Sequence, residues 1–163
     1  MRPAFSSDAK ATIRDNISSG GLRPRQHLIF DISERIVSDP FRSLPTELLC
    51  DVASYLCLAD LKALSVASWH VMNTTSGNTF WKSVLYRETE WMGLDLDEIL
   101  LGLPQENVDY KALSLWLEKM TRPRFAVDAP WLGAANRRRI WNACEQIAGA
   151  YWGRERQRIK KAL

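Results

Sequence analysis

Apolar side chains recur along this chain at intervals of three and four residues, and no stretch alternates in the manner of a strand, so the pattern predicts helices throughout. Ala9, Ile13 and Ile17 share one face of a helix that opens at Ser7-Asp8 and stops at Gly20-Gly21. Pro24 suits the first turn of a second helix, in which Leu28, Ile29, Ile32 and Ile36 line up until Asp39-Pro40 ends it. The clearest element runs from Leu44 to Leu56. Pro45 fits its first turn, Glu47 complements its dipole, and Leu48, Leu49, Val52, Ala53 and Leu56 form an apolar stripe.

Downstream, Asp60 is placed to cap a helix through Leu61, Leu64 and Val66, and the polar run 73–78 breaks the pattern. The next helix carries Phe80, Trp81, Val84 and Leu85. Between Trp91 and Val108, Gly93, Gly102, Pro104 and a group of acids predict a linker or loop. Asp109 begins a helix with Tyr110, Leu113, Trp116, Leu117 and Met120 on one side. After a loop from Pro123 to Gly133, Asn136 is read as the cap of a last helix with Ile140, Trp141, Cys144, Ile147, Ala148 and Tyr151 on one face and Arg and Lys on the other. The expected fold class is all-α. The expected division is a helical extension over 1–38, a compact unit over 39–88, an acidic linker over 89–108, and a helical region over 109–163 whose last helix is basic.

Composition narrows the classes. A chain of 163 residues with 46% apolar residues is long enough for one packed domain. Seven tryptophans supply much buriable surface, and Trp is also enriched in protein interfaces. The net charge of +3 is unevenly spread: the stretch from Glu88 to Asp109 is acidic and that from Arg137 to Lys161 basic, so the two are expected to be solvated or paired with each other. The first residues lack the apolar core of a secretory signal, and no apolar run approaches the roughly 18 residues that span a bilayer. The expectation is an intracellular protein, in cytoplasm, nucleus or both, that does not enter membranes.

Candidate chemistry is sparse. Cys50, Cys57 and Cys144 are widely spaced, form no CxxC pair and are joined by only two histidines, so they are expected to be buried thiols and not zinc ligands. No phosphate-cradling GxxxxGK, GxSxG elbow or HExxH occurs, and no catalytic, cofactor-binding or metal-binding residue is assigned.

One stretch carries a more specific pattern. From Leu44 to Trp81 the order Leu44-Pro45, Glu47-Leu48-Leu49, Val52, Tyr55-Leu56, Asp60-Leu61, Leu64, Val66 and Phe80-Trp81 resembles the F-box motif. On either side, Asp39-Pro40-Phe41, Val108-Asp109-Tyr110, Pro123-Arg124-Phe125 and the run from Asn136 to Trp141 are similar to F-box proteins of filamentous fungi. The resemblance implies an orthogonal three-helix F-box over 39–88. It also implies a non-catalytic receptor subunit of a Skp–cullin–F-box ubiquitin ligase, which binds a Skp-type adaptor and through it a cullin, and holds a protein substrate beside a charged enzyme.

On that reading Leu44, Pro45, Leu48, Leu49, Val52, Leu56, Leu58, Leu61, Leu64 and Trp81 grip the adaptor, while Trp131 and Trp152 offer a substrate surface. The plainer reading of Leu48, Val52 and Leu56 is ordinary core, as most helical apolar stripes are. Trp116 and Trp141, inside apolar stripes, are expected to be core. An F-box scaffold acting outside the ligase is the alternative. A third reading takes the arginines from Arg137 onward as a nucleic-acid surface, but Glu145 and Glu155 interrupt them, so a solvated basic face is expected and nucleic acid is not the expected partner.

Overall fold

A computed structural model of the chain describes residues 5–22, 36, 38–122 and 129–162, and among these every regular element is helical. Eight α-helices follow one another: α1 (Ser7–Ser18), α2 (Thr46–Tyr55), α3 (Leu58–Ala67), α4 (Trp69–Thr74), α5 (Asn78–Glu88), α6 (Leu94–Leu100), α7 (Tyr110–Thr121) and α8 (Ala129–Ala162). The all-α class expected from periodicity is what the structure shows. The helix expected from Pro24 and the Pro123-Arg124-Phe125 pattern lie outside the described residues.

Local chemistry starts most of these helices. Ser6 caps α1 by accepting from the Ala9 amide at 3.1 Å, and Asp109 caps α7 by accepting from the Ala112 amide at 2.8 Å. Asp39 caps the short 3-10 helix Pro40–Ser43 through the Phe41 amide. Its other oxygen accepts from Ser68 Oγ at 2.7 Å and the His70 amide at 3.2 Å, which pins that turn to the start of α4. Ser68 is itself the α4 cap, so the polar break between α3 and α4 is fully used. Asp60 does not cap α3 as the sequence suggested. It lies in the first turn, and Cys57 takes the cap position, its thiol accepting from the Asp60 amide and donating to Asp60 Oδ2 at 3.2 Å.

The core is one continuous cluster. Trp81, Val84 and Leu85 of α5 pack on Tyr110, Leu113 and Leu117 of α7, the most extensive helix pairing in the chain. Ala9, Ile13 and Ile17 of α1 pack on Leu96 and Ile99 of α6, and Ala53, Leu58 and Leu61 join from α2 and α3. Buried Thr75, Thr89, Ser114 and Thr121 each donate to the carbonyl four residues back, so none is left unpaired.

Two expectations fail here, for traceable reasons. The stretch read as a linker or loop contains α6 and buries Trp91, Met92, Leu96, Ile99 and Val108. Gly93 only turns the chain into α6, at a φ of 58° that glycine adopts without strain. Arg14 then secures the helix by donating to the Glu98 carbonyl at 2.6 Å. The last helix begins at Ala129 and not at Asn136. Pro130 stands in its first turn, where a missing amide hydrogen costs nothing.

Candidate protein-docking faces

Two helices carry a whole row of large apolar side chains outside the core. On α2 and the residue pair before it, Leu44, Leu48, Val52 and Tyr55 stand four, four and three residues apart and so share one face. That face is open: Leu48 and Val52 are each about half exposed, and Tyr55 is 89% exposed. Leu49 and Ala53, on the opposite side, are buried at 2% and 1%. Glu47 and Asp51, both exposed, border the open face, and α2 carries no basic residue.

The second face belongs to α8. Its first two turns are anchored: Trp131 is buried, with its ring edge-on to Trp116 at 5.1 Å and to Phe5 at 6.3 Å. Arg137 donates to Asp95 and to the Met92 carbonyl, and Arg138 pairs with Glu118. Beyond Arg138 nearly every residue of α8 is exposed, so about 20 further residues, roughly 30 Å of helix, stand clear of the rest of the chain. Ile140, Cys144, Ile147 and Tyr151 recur at helical spacing along this arm, flanked by Trp141, Ala148 and Trp152. Arg154, Arg156, Arg158 and Lys160 follow, offset only by Glu155, which pairs with Arg158.

The two helices approach each other at one point. A groove of about 420 Å³ separates the end of α2 from the emerging arm, with Tyr55, Leu56 and Cys57 on one wall and Arg138, Trp141 and Glu145 on the other. A larger recess of about 710 Å³ runs along Pro40, Val66, Trp69, Met72, Trp81 and Leu115 on the far side of α3. Val66 is 90% exposed there, and the Trp81 indole nitrogen is buried without a hydrogen-bond partner.

The residues assigned from sequence to one docking surface are thus split. Leu44, Pro45, Leu48 and Val52 are exposed and Leu56 and Leu64 half-buried, but Leu49, Leu58, Leu61 and Trp81 belong to the chain's own core. One helical step rotates a side chain by about 100°, which is enough to put Leu48 outside and Leu49 inside. Trp152 is exposed, whereas Trp131 is buried and offers no surface; Trp141, expected in the core, is partly exposed. Tyr55 and Val66, the most exposed of the large apolar residues, were read as part of the motif but not assigned to the docking surface, although both fall on the outward side of their helices. Cys57 and Cys144 are exposed and Cys50 half-buried, contrary to the expectation of buried thiols: Cys57 caps α3 in the turn after α2, and Cys144 lies on the open arm of α8. The acidic and basic stretches do meet, through Asp95 and Arg137.

Among the described residues no group of His, Cys, Asp and Glu is arranged to hold a metal ion. Among them, too, no helix is long and apolar enough to cross a membrane.

Comparison with known proteins points away from the F-box. No model of a protein family matches the chain, and no solved structure matches it. The urease accessory protein UreF 2 of Pseudomonas syringae pv. tomato is 30% identical to it over 142 residues, which are 82% of this chain and 60% of that protein. The chain therefore spans less than two thirds of the length of this relative. The similarity overturns the F-box resemblance and, with it, the ubiquitin-ligase role and the Skp-type adaptor and cullin as partners. The order Leu-Pro, Glu-Leu-Leu, Val, Leu that carried the resemblance is the spacing any amphipathic helix produces when it packs in a bundle, which makes it a weak guide to a partner. A curated protein to which this chain is similar is thus a urease accessory protein.

Proposed function

We propose that the chain is a non-catalytic helical accessory protein that works by docking on another protein, and that its client is a urease or an enzyme assembled like one. The observation that carries the docking is the arm of α8, which leaves the body with Ile140, Trp141, Ile147, Tyr151 and Trp152 open to solvent. An amphipathic helix with anchors at this spacing is the form in which a helix enters an apolar groove on a partner. Tyr and Trp are the side chains that most often dominate such contacts. The similarity to a urease accessory protein supplies the class of client.

The reading is tested in cells that produce urease but lack their own UreF. Expressed there, the chain is expected to co-purify with urease and to raise urease activity. Ile147→Asp with Tyr151→Asp is expected to abolish both effects without unfolding the protein, since both side chains already face solvent. A chain that neither associates with urease nor raises its activity overturns the proposal.

A further inference from the structure

The recess on the far side of α3 has the make-up of a ligand site, and neither docking face uses it. Lys62 and Val66 stand four residues apart and so turn one side of α3 toward it. Lys111 and Leu115 do the same from α7, and Trp69 and Met72, three apart, from α4. Trp81 of α5 completes the wall. The volume of about 710 Å³ falls within the roughly 300–1,000 Å³ of small-molecule sites, which are mostly apolar with a few polar groups. Val66 is 90% exposed, so the wall is open to solvent at α3. Among the described residues, none lines both this recess and the groove between α2 and α8.

Two features of the hollow call for a negatively charged hydrogen-bond acceptor. The first is Trp81. Its side chain is 1% exposed and its indole N–H has no hydrogen-bond partner, a state in which folded proteins seldom leave a buried donor. A ligand oxygen would satisfy it. The second is charge. Lys62 and Lys111 border the recess, and among the described residues neither is held in an ion pair. Lys111 Nζ lies over the Trp81 ring, 5.4 Å from its centroid, where a cation is attracted to the aromatic face. A carboxylate has two acceptor oxygens and a lysine a flexible stem, so one carboxylate is able to take the indole proton and the ammonium together.

Asp39 also borders the recess, but three donors already engage its carboxylate: Ser68 Oγ at 2.7 Å, the Phe41 amide at 3.0 Å and the His70 amide at 3.2 Å. Two free cations against one engaged carboxylate leave the recess with a net positive charge that suits a monoanion. We propose that it binds an apolar monocarboxylate of the medium-chain fatty acid class. The carboxylate sits on Trp81 Nε1–H and Lys111, and the hydrocarbon runs along Val66, Trp69, Met72 and Leu115. A wall with a thioether in it adapts to a chain of no fixed shape. A neutral alcohol leaves the lysines without a counter-charge, and a dianion is set against Asp39. Because the α8 arm contributes nothing to the recess, ligand and client bind independently, and the site stands whether or not the client is a urease.

Calorimetric titration of the full chain with decanoate, kept below its micelle-forming concentration, and proton–nitrogen correlation spectra of the indole region test the assignment. Decanoate is expected to saturate at one molecule per chain. One indole N–H resonance, identified as that of Trp81 by its absence from Trp81→Phe, is expected to move downfield as the hydrogen bond forms. Lys111→Met keeps the stem and removes the charge, and is expected to raise the dissociation constant about tenfold. Decanol is expected to bind at least tenfold more weakly than decanoate. Ala67→Glu places a second carboxylate at an exposed position on the wall, so it is expected to abolish binding, and the shift of the indole resonance, while the circular dichroism stays helical. That variant carries the test if Trp81→Phe does not fold. Absence of saturable binding overturns the proposal, as does equal affinity for decanol. So does binding that survives Ala67→Glu but is lost in Ile147→Asp with Tyr151→Asp, which would put the ligand on the α8 arm.

Discussion

Arg137 of α8 and Asp95 of α6 form an ion pair across 42 residues of sequence, at the point where α8 leaves the body. The same carboxylate takes the ammonium of Lys10 from α1 at 2.6 Å. One side chain thus ties three helices together, and all three partners are more than four-fifths buried.

Asp95 should make the stability of the fold depend on acid. Burial raises its pKa, but the hydrogen bonds from Lys10 and Arg137 and the charges of both outweigh that and hold it below the ordinary value of 3.8. The folded state therefore binds this proton more weakly than the unfolded chain does. The stabilisation is complete above the unfolded pKa and is lost as the pH falls below about 4 through the lowered folded value. Asp95→Asn, which removes the one carboxylate shared by Lys10 and Arg137 while Lys10 keeps Glu98, is expected to cost about 1–3 kcal/mol at neutral pH. Denaturant unfolding of both proteins from pH 7 to pH 3 checks this: the difference should be constant near neutrality and shrink only in acid. A difference that persists unchanged at pH 3 would contradict the assignment.

Leu48 and Leu49 are adjacent in sequence and opposite in role. Leu49→Ala removes a side chain that is 2% exposed and is expected to cost about 2–5 kcal/mol. Leu48→Ala removes one that is half in water already and is expected to change stability by less than about 0.5 kcal/mol. Chemical denaturation separates the two; equal losses would mean that the α2 face is covered within the chain.

The helical class could be read from sequence because spacing of three and four residues is a property of each helix by itself. Positions 9, 13 and 17, or 110, 113 and 117, announce a buried face without knowledge of what covers it. α6 escaped because its first turn is acidic and it is bracketed by glycines, while only Leu96 and Ile99 are fully buried from it and Leu100 is partly so; a seven-residue helix held by Lys10 and Arg14 from elsewhere has too little local signal. The candidate docking face was half visible for the same reason. The stripe marks which residues are apolar, but whether Leu48 or Leu49 turns inward depends on where α4 and α5 sit, and those are tertiary facts. Partner identity is further still from the pattern, since the aliphatic spacing from Leu44 to Leu64 serves any helical bundle.

Trp131 gives a direct test of where α8 is rooted. Its indole lies between Phe5, just before α1, and Trp116 of α7, and Ser6 Oγ donates to the Pro130 carbonyl beside it at 3.1 Å. Trp131→Ala opens a large cavity and is expected to cost about 3–5 kcal/mol. Trp152→Ala, on the open arm, is expected to leave stability within about 0.5 kcal/mol of the wild type. Thermal melts of the two variants at matched low concentration distinguish an anchored tryptophan from a solvent-facing one, and a mild loss at Trp131 would place it on the surface after all.

Gly149 and Gly153 interrupt the arm where it has no tertiary support. A Cβ added at either position meets nothing within 4 Å, and both sit inside a continuous α-helix. Glycine there costs about 1 kcal/mol of helix propensity relative to alanine, and stiffening the unfolded chain adds to the gain on replacement. On the helix both lie away from the stripe of Ile140, Ile147 and Tyr151, so replacement leaves the docking face intact. Gly149→Ala with Gly153→Ala is therefore expected to slow amide hydrogen exchange severalfold from Cys144 to Arg158, while exchange in α5 and α7 stays as it was. An arm that is already held by contacts would show no such change, because its opening would then be limited by those contacts and not by the intrinsic stability of the helix.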